Sequence, residues 1–138
     1  ALVPLKTISR AQWRLNWSKG RVRARELSET LAGIAASPGE MLRLVACHHP
    51  LVDADTRSTG STRGGRKALA ELARAGVDAV LSGHVHDAFD RQIEVAGRSI
   101  RIIGAGTLSQ RLRVSRPSYN RLEWSRGSEL TVTVEIHQ

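Results

Sequence analysis

The chain has 138 residues, enough for one domain and too few for two ordinary ones, and its 41% hydrophobic and 25% charged residues are typical of a globular protein. No apolar run approaches the roughly 20 residues that a membrane helix needs, and the N-terminus does not predict a signal peptide, so we expect no membrane partner. The net charge of +8 comes almost entirely from arginine, which permits nucleic-acid binding. The arginines are dispersed and aromatic residues are only 4%, so a nucleic-acid-binding module is the least favoured function.

The first part of the sequence predicts an edge strand followed by a helix. Residues 2–8 are a short apolar segment, and Pro4 suits an edge strand because proline cannot donate a ladder hydrogen bond. Residues 12–20, which include two tryptophans, have the pattern of a loop. Residues 23–36 then carry apolar side chains at helical spacing, and Pro38 ends this helix because proline cannot continue it. The apolar positions of this predicted helix are Leu27, Leu31 and Ile34.

The middle of the sequence predicts a β–α–β unit. Residues 41–47 form an apolar run typical of a buried strand, and residues 53–65 are a polar loop rich in Ser, Thr and Gly. Residues 66–75 have the pattern of a second amphipathic helix, which Gly76 can end in the left-handed conformation. Residues 77–82 are a second apolar strand. The two strands should be parallel, because the crossover between them is right-handed, and both should end at one edge of the sheet.

The last third of the sequence predicts antiparallel hairpins. One hairpin joins residues 89–95 to residues 99–103, and another joins residues 119–124 to residues 130–136. The final strand alternates between apolar and polar side chains, as expected when one face is buried. We therefore predict a single α/β domain over residues 1–138, with a β–α–β unit followed by antiparallel hairpins.

Four of the five histidines lie in two clusters, each directly after a predicted strand. His48 and His49 follow the first strand of the β–α–β unit, and His84 and His86 follow the second. Because parallel strands end at the same sheet edge, these imidazoles should meet there, where they could bind Zn, Mn or Fe. Taken singly, each histidine also has a simpler interpretation as a surface or core residue. Cys47 is the single cysteine, so an internal disulfide is excluded and we expect a reducing, cytoplasmic setting. We interpret Cys47 itself as a small buried side chain.

The two histidine clusters resemble motifs of the calcineurin-like metallophosphoesterases. His-His-Pro at residues 48–50 is similar to the His-x-Pro motif of that family, and Gly-His-Val-His at residues 83–86 is similar to its Gly-His-x-His motif. Weaker similarities at residues 16–22 and 106–120 extend the resemblance to nearly the whole chain. The resemblance implies a two-metal phosphoesterase that hydrolyses a phosphomonoester or a phosphodiester with a metal-bound hydroxide.

The resemblance also implies a role for each histidine. His48 and His84 would bind one divalent ion of Mn, Fe or Zn, and His86 would bind the other. His49 would be an orienting or structural residue, because neighbouring side chains at a strand end point in opposite directions. Gly83 would act as the backbone pivot of the loop.

The carboxylate-bearing motifs of the family do not occur in this sequence. These are Asp-x-His, Gly-Asp and Gly-Asn-His, and neither Asn16 nor Asn120 is followed by histidine. The resemblance therefore implies the C-terminal half of a metallophosphoesterase-like β-sandwich flanked by helices. Two cations about 3.5–4 Å apart need anionic ligands between them, which three neutral imidazoles do not provide. Asp53 and Asp87 lie near the clusters, but both have simpler interpretations as loop residues.

Several functions remain open from the sequence. The first is a metal-dependent phosphoesterase in which this chain supplies only the histidine side of the site. The catalytic residues would come from a missing N-terminal half or a swapped homodimer partner, and the chain alone would be inactive. The second is a catalytically incompetent fragment, with partial or no metal occupancy. The third is a single zinc on His48, His84 and His86. The fourth is the nucleic-acid-binding module. The substrate of the first function, the phosphoesterase, would be a phosphate ester.

Overall fold

The computed structural model describes residues 1–8, 20–54, 62–108 and 117–136. In these ranges the chain forms two helices and seven strands. In chain order they are β1 (Leu2–Leu5), α1 (Ala24–Ala35), β2 (Leu44–Cys47), α2 (Gly65–Arg74), β3 (Ala79–Ser82), β4 (Phe89–Val95), β5 (Arg98–Gly104), β6 (Ser118–Glu123) and β7 (Thr131–Ile136). Neither helix is long and apolar enough to cross a membrane.

Five of the strands form one mixed sheet in the order β1-β2-β3-β5-β4, and β6 pairs with β7 in a separate two-stranded sheet. Strands β1, β2, β3 and β5 are parallel, whereas β4 runs antiparallel to β5. The predicted β–α–β unit is confirmed as β2–α2–β3, and β1–α1–β2 forms a second unit. Both predicted hairpins are present, so the fold is α/β as the sequence indicates.

The element boundaries differ from the sequence prediction mainly at strand ends. Strand β1 stops at Leu5 instead of continuing to residue 8, and β2 begins at Leu44, where pairing with β1 begins. The residues just before β2 belong to a turn, in which the amide of Met41 donates to the carbonyl of Pro38. Most of the predicted loops at 12–20 and 53–65 lie outside the described residues.

Helix α2 ends as its sequence predicts. Gly76 has φ +77°, its amide donates to the carbonyl of Ala73, and the amide of Val77 donates to the carbonyl of Leu72. These two hydrogen bonds form a Schellman motif, which needs a residue in the left-handed conformation at the position of Gly76. The motif turns the chain directly into β3, so it helps to fix where β3 begins.

The hydrophobic core lies between the two helices and one face of the large sheet. Val45, Val80 and Ile102 lie side by side on this face, and each is at most 5% exposed. Apolar side chains of both helices complete this core, and Thr30 of α1 donates to the carbonyl of Pro4 in β1. The parallel strands that carry the histidine motifs are therefore held from behind by packed helices.

The β6–β7 hairpin lies against the opposite face of the large sheet. Arg101 points to this face because its neighbours Ile100 and Ile102 are buried in the helical core. Its guanidinium forms an ion pair with Asp90 and donates to the carbonyl of Leu130. These contacts attach the hairpin to β4 and β5.

Candidate metal centre

The two histidine motifs meet at one edge of the large sheet. Strands β2 and β3 are paired in parallel with Cys47 opposite Ser82, so His48 and Gly83 are the next residues along each strand. The amide of Gly83 donates to the carbonyl of His48 at 3.1 Å, which extends the pairing by one residue. The loops that carry the imidazoles therefore start side by side, as the topology predicts.

The closest contact between the motifs is between two imidazole nitrogens. His48 Nε2 lies 3.1 Å from His84 Nδ1. Two nitrogens bound to one ion at about 2.0–2.1 Å would lie roughly 2.9–3.4 Å apart, depending on whether the angle is octahedral or tetrahedral. In the absence of an ion, the same distance suits a hydrogen bond between two neutral rings that share one proton. The pair therefore fits either a metal or a proton between the two rings.

His49 joins this pair and forms the third member of the cluster. Its side chain is only 4% exposed, and its ring centroid lies 4.6 Å from that of His48 and 4.4 Å from that of His84. One nitrogen from each of the three rings can be chosen so that all lie within 4.8 Å of one another. Sequence reasoning gave His49 only an orienting role, whereas the structure places its ring inside the cluster.

Thr7 anchors His49 through two hydrogen bonds. The Thr7 hydroxyl lies 3.0 Å from His49 Nδ1 and accepts the backbone amide of His49 at 3.1 Å. If Nδ1 carries the ring proton and donates it to Thr7, Nε2 keeps the lone pair that a metal requires. No sequence signal indicated Thr7, because it follows a short edge strand and lies 42 positions from its partner.

Gly20 packs closely between His49 and Thr62. A Cβ atom at Gly20 would lie 2.6 Å from both His49 Cγ and Thr62 Oγ1. Thr62 is itself held by donating its hydroxyl proton to the carbonyl of Pro50 at 2.7 Å. Only glycine leaves enough room at position 20, so the orientation of His49 depends on a residue that sequence reasoning placed in a loop.

The environment keeps two of the three imidazoles neutral. Burial, together with the neighbouring His84 and His48, lowers the pKa of His49 to about 4. The pKa of His48 is also lowered, first by burial and then by His84 and His86. Both rings are therefore neutral at pH 7, which is the form that binds a metal.

The low pKa of His49 predicts that the metal-free chain loses stability in mild acid. His49 takes up a proton near pH 6.5 in the unfolded chain, but only near pH 4 in the folded chain. The free energy of unfolding is therefore highest above pH 6.5 and falls as the pH drops from 6.5 toward 4. We expect the free energy of unfolding to be about 2 kcal/mol lower at pH 5 than at pH 7.5 because of this residue. Urea unfolding with a chelator present measures it. A His49→Gln variant should lack this part of the pH dependence, and an unchanged profile would contradict the assignment.

His86 lies near the cluster but outside the group of three. Its side chain is exposed, and with His84 it lines a cavity of about 520 Å³ between β3, β5 and β6. The backbone φ is +68° at His84 and +60° at His86, which costs on the order of 1 kcal/mol for each non-glycine residue. We expected Gly83 to be the residue with the special backbone conformation in this loop. The residues in the left-handed conformation are instead the two histidines. A Cβ atom at Gly83 would meet only the His48 carbonyl, at 3.9 Å.

The types of donor in the cluster suit one metal ion rather than two. Within the described residues the group contains three imidazoles and no carboxylate, and neither Asp53 nor Asp87 belongs to it. Three neutral nitrogens with an open fourth position suit a single ion such as Zn²⁺. Two ions would need an anionic bridging ligand. Cys47 is not a substitute, because burial raises the pKa of its thiol to about 12 and its Sγ donates to the His49 carbonyl.

Comparisons with known proteins give weak similarities. Neither protein-family models nor curated proteins match this chain. Among solved structures, wild-type Vps29 complexed with Zn from Entamoeba histolytica is 16% identical, with a TM-score of 0.33, over 97% of this chain and 96% of that one. A single-mutant Vps29 from the same organism is 13% identical, with a TM-score of 0.31, over 99% of both chains. Similarities this weak do not indicate the chemistry of the site, which is therefore inferred from its own geometry.

Proposed function

We propose that this chain supplies the histidine side of the metal centre of a metal-dependent phosphoesterase, an enzyme that hydrolyses a phosphomonoester or a phosphodiester. The observation that carries this proposal is the 3.1 Å approach of His48 Nε2 and His84 Nδ1 at the ends of neighbouring parallel strands. The family resemblance assigns these same two histidines to one ion. The motifs and the geometry thus support the same pair of ligands independently.

In this proposal the residues around the cluster have separate roles. His48 and His84 hold one ion of Mn, Fe or Zn, and Thr7 fixes His49 beside them. His86, which lines the cavity with His84, is assigned to the second ion. When bound, such ions supply Lewis acidity to the phosphoryl group and lower the pKa of water. The catalytic carboxylates are not assigned to residues of this chain.

The carboxylate side of the centre has to come from another segment. We propose that this segment is the N-terminal half of a metallophosphoesterase domain or a swapped second copy of this chain. Exposed apolar side chains on the strands support a covering partner, because Leu2 is 63%, Val134 45% and Ile136 57% exposed. On its own the chain is proposed to bind metal only partially and to be inactive.

A second candidate function is a single-zinc site, and one observation favours it. The ligating nitrogens of His48, His49 and His84 lie within 4.8 Å of one another, so His49 replaces the His86 of the sequence-based prediction. Such a site needs no second half, since three protein ligands and a water complete a tetrahedral zinc. The number of ions bound per chain separates this candidate from the first.

Metal analysis and a phosphatase assay test both candidates. We expect the purified chain to bind no more than one Zn²⁺ and to hydrolyse 4-nitrophenyl phosphate at the background rate with Zn²⁺ or Mn²⁺. Co-expression with a polypeptide that carries the Asp-x-His, Gly-Asp and Gly-Asn-His motifs should raise both the stoichiometry and the activity. Activity that stays at background, with one ion per chain, would favour the single-zinc site. Two tightly bound ions in the chain alone would contradict both candidates.

A further inference from the structure

The fold gathers arginines that are dispersed in the sequence. Arg21 and Arg63 are partners in an isolated parallel bridge, in which the amide of Val22 donates to the carbonyl of Arg63 and the amide of Arg63 donates to the carbonyl of Gly20. Bridge partners point to the same side of the backbone, so the two side chains leave the bridge in the same direction. Both residues are exposed.

The start of helix α2 adds two more positive charges within four residues of Arg63. Arg66 and Lys67 lie in its first turn, both are exposed, and this turn has no acidic residue. We call Arg21, Arg63, Arg66 and Lys67 the basic surface. Within the described ranges none of these four side chains forms an ion pair, whereas Arg25, Arg74, Arg101 and Arg126 all do. Like charges side by side are unfavourable, so an anionic ligand would stabilise this arrangement.

We propose that the basic surface binds the sugar–phosphate backbone of a nucleic acid. Three of its four cations are arginines, whose planar guanidinium donates two parallel hydrogen bonds to the oxygens of a phosphate. Neutralising phosphates is enough for sequence-independent binding, so the scarcity of aromatic residues argues only against base stacking. A bilayer is a poorer partner, because the basic surface includes no apolar residue that would insert.

The basic surface borders the histidine cluster without being part of it. Gly20 packs against both His49 and Thr62, and Arg21 and Arg63 directly follow Gly20 and Thr62 in the chain. Because successive residues of an extended strand point to opposite sides, the two arginines face away from His49. Binding at the basic surface therefore does not depend on the metal, and it goes beyond the proposed phosphoesterase activity.

Salt-dependent binding of a fluorescein-labelled single-stranded oligodeoxynucleotide tests this inference. We expect dissociation constants of about 10⁻⁶–10⁻⁴ M by fluorescence anisotropy at physiological salt. Four phosphate contacts give a slope of about −2.8 for log K against log [salt], which is about a 50-fold loss of affinity between 50 and 200 mM. An Arg21→Gln/Arg63→Gln double variant keeps two contacts and should show a slope of about −1.4 and a loss of about sevenfold.

A matched variant separates this surface from net charge. Arg98→Gln/Arg126→Gln removes the same charge from the start of β5 and from the β6–β7 turn and should leave the slope at the wild-type value. Arg66→Gln/Lys67→Gln should lower the slope as much as Arg21→Gln/Arg63→Gln does. Agreement between these two variants would show that a folding defect in one of them does not cause the change. Equal slopes for all the variants would overturn the proposal. Equally tight binding of poly-glutamate would overturn the assignment to phosphate.

Discussion

Replacing His84 with alanine is expected to weaken Zn²⁺ binding by at least about 100-fold. Loss of a residue that merely orients a metal ligand costs about 10–100-fold in affinity, so loss of a ligand should cost more. His84 Nδ1 lies 3.1 Å from His48 Nε2, which is the closest approach between the two histidine motifs. Its removal leaves His48 with a partner only in His49, and His49 is already committed to Thr7 through one nitrogen. Competition with a chromogenic zinc chelator measures the change.

His86→Ala is the control that makes this result specific. His86 lies on the same loop and also has a positive φ, but it is outside the group of three. We expect His86→Ala to leave the affinity of the first ion within about threefold of wild type, while His48→Ala should resemble His84→Ala. Circular dichroism should be unchanged in all three. If His86→Ala lost as much affinity as His84→Ala, the first ion would be bound by a different set of histidines.

Gly65→Ala is expected to lower the free energy of unfolding by about 3 kcal/mol or more. A Cβ atom at this position would lie 1.8 Å from the carbonyl oxygen of Leu51 and 2.7 Å from its carbon. The obstacle is backbone, so no change of side-chain rotamer relieves it, and α2 must move away from the segment that follows His48 and His49. Overpacking of this kind costs about 1–3 kcal/mol or more. Urea unfolding monitored by circular dichroism measures the loss.

Gly39→Ala is a matched control for Gly65→Ala, because nothing lies within 4 Å of a Cβ atom at Gly39. It should change the free energy of unfolding by less than about 0.5 kcal/mol. Gly65→Ala should also weaken zinc binding, because α2 and the His-His-Pro segment are displaced together. A Gly65→Ala variant as stable as Gly39→Ala would mean that Leu51 can move freely, and it would remove α2 from the elements that position the histidines.

The sequence predicted the meeting of the two histidine motifs, and the reason is topological. Apolar runs and turn signals place strands before His48 and His84, and a helix between them makes the strands parallel. The immediate surroundings of His49 could not be predicted in this way. Thr7 and His49 lie 42 positions apart, and nothing in the local pattern of either residue encodes their contact.

The backbone conformation of the His84–His86 loop and the grouping of surface charges could not be predicted from the sequence either. A glycine directly before a turn is normally the residue that enters the left-handed region, yet here His84 and His86 do so. Arg21 and Arg63 looked scattered because a sequence shows only neighbours along the chain. Their parallel bridge joins two segments that follow different elements, and it exists only in the folded protein.

The parallel arrangement of β1, β2 and β3 has a consequence for how the protein folds. None of these strands can pair with its neighbour through a short hairpin, so each pairing closes a loop that contains a whole helix. Closing such loops costs entropy before any contact compensates for it, which makes the pairing slow compared with that of the β4–β5 and β6–β7 hairpins. The histidine cluster draws on residues beside β1, β2 and β3, so it can form only after both crossovers have closed. Assembly of the histidine cluster is therefore a late event on the folding pathway.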